Sequence, residues 1–399
     1  MGPSRKRRPF FLGFAAYGAG GLRTTTLYLV AMKYQPTAGG LADFLNDWAP
    51  TQLAESYDNV GLLVGNPAWP VERVLVALDT TEAVVEEAIA RGAQAIVSHH
   101  PVLFSGLKKI TGKTEVERVV ERALVHKIAL LCAHTNLDAI PGGVSTTLAD
   151  RLGLQDVRIL APRKDLLLQL VTWVPVDHAE NVREALFAAG AGHVGTYDEC
   201  GFTSLGEGTF RPLLGSKPFL GAVGVRESVS EMRLEVLVPK TRKQAVVQAL
   251  QEAHPYEEVA HYWVENGREW SDVGFGAVGD WAVGKTWEQA LAQIKEATGA
   301  TAVKHTEIPA GPITRVAVCG GSGGDLLELA QHSGAQLFIT GDIKYHRFFD
   351  ADSRCALVDV GHGESEQHTV EIIVAKIREN FRNFAVLGAD TRTNPVTIS

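Results

Sequence analysis

The chain has 399 residues, a hydrophobic content of 45%, a charged content of 21% and a formal net charge of −8 at pH 7. These values are typical of soluble globular proteins with two or three domains, and the acidic balance argues against a nucleic-acid-binding protein, which usually carries a basic face. Four cysteines without a C-x-x-C pair indicate a reducing compartment, and no apolar run reaches the length of a bilayer span, so we expect a cytoplasmic protein without a membrane partner.

Residues 1–31 differ from the rest of the chain. Basic residues at positions 5–8 precede an apolar patch at positions 9–16, an order that imitates a secretory signal peptide. Met32 stands just before the first domain-like sequence. We therefore interpret residues 1–31 as an over-extended start or a disordered leader, with an export signal as the alternative.

The first half of the chain alternates between strand and helix patterns. Apolar periodicity, turn residues and helix caps mark each element. In order, the pattern predicts a helix over 41–48, strands over 61–65 and 73–78, a helix over 82–90 capped by Thr80 or Thr81, a strand over 95–97, a helix starting at Thr114, a strand over 128–132 and a helix over 145–152. This is the βαβ order of an α/β fold with a parallel sheet.

Two adjacent histidines end one of these buried strands. His99 and His100 follow Ala95–Ser98 and precede Pro101, which keeps His100 extended. Neighbouring side chains of an extended chain point in opposite directions, so the pair suits two adjacent ions better than one. In α/β sheets the ligand chemistry lies beyond the carboxyl ends of the strands.

A region of different composition interrupts this pattern. It contains a strand over 166–176, a helix over 181–189, a glycine-rich run, a strand over 232–238, a helix over 241–253 and a strand over 259–264. This β-α-β…β-α-β order predicts an inserted ferredoxin-like α+β domain. The predicted domains are a leader at 1–31, a first half at 32–167, the insertion at 168–266 and a second half at 267–399.

An internal repeat links the two halves. Arg73-Val74-Leu75-Val76 resembles Arg315-Val316-Ala317-Val318, and Gly92-Ala93-Gln94 resembles Gly334-Ala335-Gln336, each at an offset of 242 positions. We read this as two pseudo-equivalent α/β halves forming one domain. In this register Asp342 takes the place of His100, so we expect it to contact the site or a substrate, with a turn residue as the alternative.

Two further strand ends carry metal-type ligands. His134 and Asp138 follow the strand over 128–132. His362 and Glu366 follow the strand over 355–358, with His362 expected on a loop and Glu366 in the first turn of a helix from Ser365 to Phe381. Imidazole and carboxylate without thiolate suit Zn, Mn, Fe or Ni, and a carboxylate such as Glu366 or Asp138 can bridge two ions.

Residues Gly320–Gly324 form a glycine-rich segment between a strand and a helix. Its amides could hold an anion such as a phosphate, or the segment could be a tight turn. It does not match the P-loop pattern G-x-x-x-x-G-K-[ST]. Both interpretations stay open at this point.

The chain after Met32 resembles the GTP cyclohydrolase 1 type 2 homologue family, also called NGG-interacting-factor-three-like proteins. The motifs that carry the resemblance are Tyr57-Asp58-Asn59-Val60-Gly61-Leu62, Ser98-His99-His100-Pro101, His134-Thr135-Asn136-Leu137-Asp138, Thr340-Gly341-Asp342-Ile343-Lys344-Tyr345-His346, and Gly361-His362 with Ser365-Glu366. The resemblance implies two divalent metal ions per subunit, zinc before Mn, Fe or Ni. It implies the ligands His99, His100, Asp138, His362 and Glu366, with His134 beside the metals.

The insertion resembles the P-II or CutA-like domain of longer family members. Its marks are Gly190–Gly195, Gly206-Glu207-Gly208-Thr209-Phe210 and His254-Pro255-Tyr256-Glu257-Glu258-Val259. The resemblance implies a homo-oligomer, a hexameric toroid with trimer contacts through the inserted domain and metal sites facing an inner cavity.

Two functions from different classes follow. The family name implies a metal-dependent hydrolase that opens the imidazole ring of GTP or acts on another nucleotide-like or phosphate-bearing substrate, with His134 and Asp342 as candidate catalytic residues that move or orient protons. The alternative is a non-catalytic metal-binding regulatory or scaffold assembly, with the inserted domain as sensor or lid.

Overall fold

The computed structural model describes residues 34–382 and 384–398. The expectations for residues 1–31 lie outside this range. The helices are α1 (Ala38–Trp48), α2 (Glu82–Ala90), α3 (Glu115–Val125), α4 (Thr135–Asp138), α5 (Val144–Arg151), α6 (Ala179–Ala188), α7 (Lys243–Ala253), α8 (Trp287–Thr298), α9 (Leu327–His332), α10 (His362–Glu366) and α11 (Thr369–Asn380). No helix in the described ranges is long and apolar enough to cross a membrane.

The strands of the described chain form three sheets. They are β1 (Gly61–Val64), β2 (Arg73–Ala77), β3 (Ala95–Ser98), β4 (Ala129–Cys132), β5 (Gln155–Arg163), β6 (Leu167–Pro175), β7 (Gly201–Phe210), β8 (Glu227–Pro239), β9 (His261–Asn266), β10 (Trp270–Lys285), β11 (Lys304–His305), β12 (Ile313–Val318), β13 (Leu337–Thr340), β14 (Ala356–Asp359) and β15 (Ala385–Gly388). Strands and helices alternate through much of the chain, so the fold is mixed α/β as expected.

The first sheet has the order β1-β4-β3-β2-β15. The strands β15, β2, β3 and β4 are parallel, and β1 pairs with β4 in the antiparallel direction. Strands β3 and β4 are buried along their whole length, as expected for parallel strands covered on both faces. The threonines at the starts of α2 and α3, Thr81 and Thr114, cap these helices through their side-chain oxygens.

The second sheet has the order β11-β14-β13-β12-β10-β5, with β12, β13 and β14 parallel. Its central strands repeat the contacts of the first sheet. The side-chain oxygen of Gln94 accepts hydrogen bonds from the amides of Glu72 and Arg73, and that of Gln336 accepts them from Thr314 and Arg315. The partner positions in the two sheets differ by 242, which is the offset of the sequence repeat.

Two long strands have no counterpart among the predicted elements. β5 and β10 pair along most of their length and join the end of the first half to the start of the second. Glycines at 274, 276 and 279 interrupt the apolar pattern by which a strand such as β10 is usually recognised. At Gly274 a glycine is needed because a Cβ would lie 2.1 Å from the carbonyl oxygen of Ala161. Close approach between the two backbones therefore replaces the usual β-branched signature.

The third sheet has the order β7-β8-β6-β9 and is antiparallel throughout. With α6 and α7 it gives the expected β-α-β-β-α-β order. The glycine-rich run contains β7, which the pattern does not predict as a strand, and the last strand starts at His261 rather than Val259. The domain limits at 168 and 266 stay predictions.

Candidate metal centre

The carboxyl ends of β3, β4 and β14 meet at one place, although β3 and β4 belong to the first sheet and β14 to the second. The closest link joins His100, after β3, to Glu366, near β14: the His100 Nε2 and Glu366 Oε2 atoms are 3.0 Å apart. All five predicted ligands, His99, His100, Asp138, His362 and Glu366, take part in this cluster.

Both His362 and Glu366 belong to the short helix α10, which corrects the expected position of His362 on a loop. The expected helix from Ser365 to Phe381 is two helices, α10 and α11, and Glu366 ends the first of them. Gly361 precedes α10 with a φ of 95°, a backbone conformation that glycine adopts readily. Residues four apart on a helix share a face, so both side chains point into the cluster.

Three ligand atoms form a nearly equilateral triangle. His100 Nε2, His362 Nε2 and Glu366 Oε2 are separated by 3.0, 3.1 and 3.2 Å. Tetrahedral zinc bonds of about 2.0–2.1 Å place neighbouring ligand atoms about 3.3 Å apart. The triangle therefore has the size of one face of a four-coordinate site.

A second set of atoms surrounds the other oxygen of Glu366. His99 Nε2 lies 3.6 Å from Asp138 Oδ1 and 3.7 Å from Glu366 Oε1. Both His99 Nε2 and Asp138 Oδ1 are buried and have no hydrogen-bond partner. Because unpaired buried polar atoms are costly, two of them facing each other indicate a missing partner that binds both. A metal ion fits this description.

Each histidine in the cluster is held through its Nδ1 atom. This nitrogen lies 2.8 Å from the carbonyl oxygen of Ala133 in His99, and 2.7 Å from a carboxylate oxygen of Asp79 in His100 and of Asp342 in His362. Carbonyl and carboxylate oxygens accept hydrogen bonds, so Nδ1 is the donor and Nε2 faces the cluster. This orientation by carbonyl or carboxylate groups is typical of metal-bound histidine.

The predicted catalytic residues lie at the edge of the cluster. His134 packs with its ring centre 5.2 Å from that of His99, and its Nδ1 lies 2.9 Å from Asp58 Oδ1. Asp342 is exposed. Of the five predicted ligands, His362 is the one with which it forms a hydrogen bond. The segment around Asp58, one of the motifs that carry the family resemblance, is thus a loop at the site.

Asp79 is a site residue that the sequence pattern did not single out. It follows β2, whose neighbour β3 leads to His99 and His100, and it binds His100. The hydroxyl of Thr393, near the C-terminus, binds its second carboxylate oxygen. Its position at the carboxyl end of a parallel strand is the signal that could have found it.

The charges in the cluster shift several pKa values strongly. Burial opposes protonation of His100, but the carboxylates of Asp79 and Glu366 outweigh it and raise its pKa to about 10. The hydrogen bond to Glu366 raises the pKa of His362 to about 9. Burial raises the pKa of Asp138 to about 6, while the surrounding histidines overcome burial and hold that of Glu366 well below its usual range. The cluster therefore favours bound positive charge, as protons or as metal.

In the glycine-rich segment Gly320–Gly324, three of the five amides are bound within the protein, which favours a tight turn over an anion cradle. The amides of Gly320, Gly321 and Gly323 donate to the hydroxyls of Ser145, Ser365 and Thr340. These amides are therefore already bound within the protein. The turn packs against the candidate metal centre: a Cβ on Gly321 would lie 2.2 Å from Glu366 Oε1, so glycine leaves room for that carboxylate.

The chain is similar to known proteins along most of its length. The family model described as Duf34/NIF3 (NGG1p interacting factor 3) matches residues 36–395. Two bacterial relatives carry the name GTP cyclohydrolase 1 type 2 homolog. The one from Halalkalibacterium halodurans is 38% identical over 355 residues, covering 88% of this chain and 95% of its own, and the one from Bacillus subtilis is 37% identical over 365 residues, covering 90% and 97%.

A solved structure supports the same relationship. The Bacillus cereus protein related to NIF3 superposes with a TM-score of 0.80 at 34% identity, covering 91% of this chain and 99% of its own. Family model, relatives and structure all span the two α/β sheets and the region between them. The chain belongs to the Duf34/NIF3 family.

Proposed function

We propose that this protein binds two divalent metal ions and is a metal-dependent hydrolase acting on a nucleotide-like or phosphate-bearing substrate. The observation that carries the proposal is the convergence of His100 Nε2, His362 Nε2 and Glu366 Oε2 at 3.0–3.2 Å. Catalytic zinc sites combine three protein ligands with an open fourth position, whereas structural sites are closed by four.

His100, His362 and Glu366 would help to hold one ion, and His99, Asp138 and Glu366 the other. Glu366 can contribute to both because its Oε2 lies beside His100 and His362 and its Oε1 faces His99. The nitrogen and oxygen donors suit zinc first, with Mn, Fe or Ni as alternatives. A pair of such ions lowers the pKa of water and polarises the bond to be cleaved.

The protein's own groups would then position the substrate and move protons. His134 is held at Nδ1 by Asp58, which leaves its Nε2 free to accept or deliver a proton. Asp342 fixes the ring of His362 and is itself 55% exposed, so a substrate could reach its carboxylate. Because His99 and Glu366 are buried while His362 is partly exposed, access is expected from the His362 side.

The substrate class rests on the relatives rather than on a phosphate loop. Their printed name, GTP cyclohydrolase 1 type 2 homolog, supports a nucleotide-like substrate for this chain. Three of the five amides of the glycine turn at 320–324 are bound by hydroxyl groups of the protein, so substrate phosphates are expected to contact other groups. The resemblance to longer family members supports a hexamer with trimer contacts through residues 168–266, and the cysteine pattern supports a cytoplasmic location.

Metal content and turnover together test the proposal. Purified protein should hold about two divalent ions per subunit, and His99→Ala and Glu366→Ala should lose metal and turnover of GTP or another nucleotide. His332→Ala, a change at an exposed histidine at the end of α9, is the matched control and should keep both. Equal residual activity in all three variants would defeat the enzyme assignment. Bound metal without turnover of any nucleotide would favour the non-catalytic regulatory assembly.

A further inference from the structure

The third sheet contains a cavity of about 560 Å³ that shares no lining residue with the metal centre. Ligand sites usually measure about 300–1,000 Å³, so this cavity can hold a small molecule. The two motifs that distinguish this region, Gly206–Phe210 and His254–Val259, both contribute to its lining. The cavity therefore brings together residues that are far apart in sequence, and it is separate from the candidate metal centre.

Aromatic side chains line much of the cavity. The rings of Phe210 and Tyr256 have their centres 5.7 Å apart, and those of Phe219 and Tyr256 are 6.3 Å apart. Trp173 of β6 lines the same space. Aromatic faces carry a negative quadrupole that attracts cations within about 6 Å of the ring centre.

A buried carboxylate accompanies these rings. Glu231 of β8 is 7% exposed, and its Oε1 accepts a hydrogen bond of 2.8 Å from the Tyr256 hydroxyl. Within the described ranges its Oε2 makes no hydrogen bond, and no lysine, arginine or histidine forms an ion pair with this carboxylate, which lines the cavity. Buried carboxylates are usually paired with a positive group, so this one has room for a cationic partner.

The surrounding backbone is adapted to this carboxylate. A Cβ on Gly208, a residue of the lining, would lie 2.1 Å from Glu231 Oε2, so a larger residue there would displace this carboxylate. His254 donates through Nε2 to the carbonyl of Trp173 and accepts at Nδ1 from the amide of Tyr256. Burial lowers the pKa of His254, so it stays neutral and fixes Tyr256 beside Glu231 without supplying charge.

Further carboxylates give the cavity a negative balance. Glu207, Glu257 and Glu258 line it, against the single cationic side chain of Arg211. Glu257 already accepts a hydrogen bond from the Lys217 amide, and Glu207 accepts one from the Ser228 hydroxyl. Glu231 is thus the buried acceptor at the aromatic wall, and the other three carboxylates add a field that favours cations.

We propose that this cavity binds a small organic cation, with its ammonium or guanidinium group on Glu231 Oε2 and its apolar part against Phe210, Phe219 and Tyr256. This assignment is independent of the metal centre and of the hydrolase proposal. A metal ion alone fits less well, because the lining combines one buried carboxylate with aromatic rings and lacks a cluster of imidazole or thiolate ligands.

Calorimetric titration of the full-length protein with 2-phenylethylammonium tests the proposal. The cation should bind saturably, whereas 3-phenylpropionate, of similar shape and opposite charge, and neutral 2-phenylethanol should bind at least tenfold more weakly. Glu231→Gln keeps the side-chain shape and should weaken binding of the cation at least tenfold. Glu265→Gln, an equal charge change on the exposed part of β9 outside this cavity, should alter the affinity less than twofold.

Tyr256→Phe provides a second variant in case Glu231→Gln fails to fold. This variant keeps the aromatic ring but removes the hydroxyl that donates to Glu231. The 2-phenylethylammonium cation should still bind, with altered affinity, and the 3-phenylpropionate anion should not. Equal binding of cation and anion, or no saturable binding of the cation up to about 10 mM, which corresponds to a binding free energy weaker than about 2.7 kcal/mol, would overturn the proposal. So would a crystal structure in which side chains of a second copy fill the cavity.

Discussion

Asp79 Oδ1 lies 2.7 Å from His100 Nδ1, and this contact fixes which nitrogen of His100 faces the metal cluster. The second oxygen of Asp79 accepts from the Thr393 hydroxyl, so a residue close to the C-terminus supports a ligand in the first sheet. Asp342 makes the matching contact to His362 in the second half. The two halves thus orient their histidines in the same manner, with carboxylates from different positions in the repeat.

Replacing Asp79 with alanine should weaken metal binding without removing a ligand. Partners of metal-bound histidines typically contribute about 10- to 100-fold in metal affinity, and we expect an effect of this size. Competition with a chromophoric chelator measures it. Asp325→Asn, at a fully exposed carboxylate on the surface, is the control and should change the affinity less than twofold. Unchanged affinity in Asp79→Ala would show that His100 is held in place by other contacts.

Gly321→Ala should damage the metal centre through Glu366. The added Cβ would lie 2.2 Å from Glu366 Oε1, and Gly321 has a φ of 64°, which costs an alanine about 1–2 kcal/mol. Gly311→Ala carries the same backbone cost, at a φ of 89°, with open space around the new Cβ. Chemical denaturation and metal content should show a larger loss for Gly321→Ala than for Gly311→Ala. Equal losses would mean that the carboxylate moves aside freely.

The sequence predicted that these side chains meet, because they follow the ends of buried strands. His99, His100 and Asp138 could be placed from the apolar runs before them, and the repeat offset put Asp342 in the place of His100 and so at the same site, where it contacts His362. The ends of parallel strands in one sheet lie together, and a repeated sheet brings a second set to face them. The local sequence pattern and the rule for strand ends in parallel sheets therefore predicted the same site.

The parts that could not be predicted depend on contacts between distant segments. The strand β10 contains glycines because the backbone of β5 approaches it closely, and no local propensity records that. His362 begins a separate short helix, α10, that ends before α11. The sequence did not predict this break because the apolar spacing of the region is typical of one continuous helix. Likewise, the amides of the glycine turn could be assigned only once Ser145, Ser365 and Thr340 were placed beside them.

Removal of metal with a chelator should lower the thermal stability of the protein. His100 Nε2 and His362 Nε2 lie 3.2 Å apart, and their pKa values are raised to about 10 and 9, so without a metal both rings would take up protons and two like charges would face each other. A metal bound only by the folded state adds about 2.7 kcal/mol to the free energy of unfolding at a free concentration 100 times its dissociation constant. Differential scanning calorimetry before and after chelation measures the change in melting temperature. The same treatment of His99→Ala should give a smaller shift, and equal shifts would contradict metal binding at this cluster.

Glu87 should make the attachment of residues 390 and 391 to the protein depend on pH. Its carboxylate accepts hydrogen bonds from the amides of Asp390 and Thr391 and pairs with Arg91. Burial opposes ionisation, but these bonds outweigh it and lower the pKa of Glu87 from 4.5 to about 2. A carboxyl group whose pKa is lower in the folded state stabilises the fold above its unfolded pKa, and this contribution is lost as the pH falls through about 2.

Glu87→Gln should therefore destabilise the protein at pH 7 and lose its effect as the pH approaches 2. Hydrogen bonds to a charged group contribute about 1.5–3 kcal/mol each at most, and we expect a loss in the lower part of this range. Hydrogen exchange of the amides of residues 390 and 391 reports the attachment directly and should speed up in the variant at pH 7. Glu86→Gln, at an exposed neighbour that pairs with Arg122, should leave both amides protected. Equal exchange in Glu87→Gln and the unmodified protein would mean that other contacts, such as the Thr393 bond to Asp79, hold the segment in place.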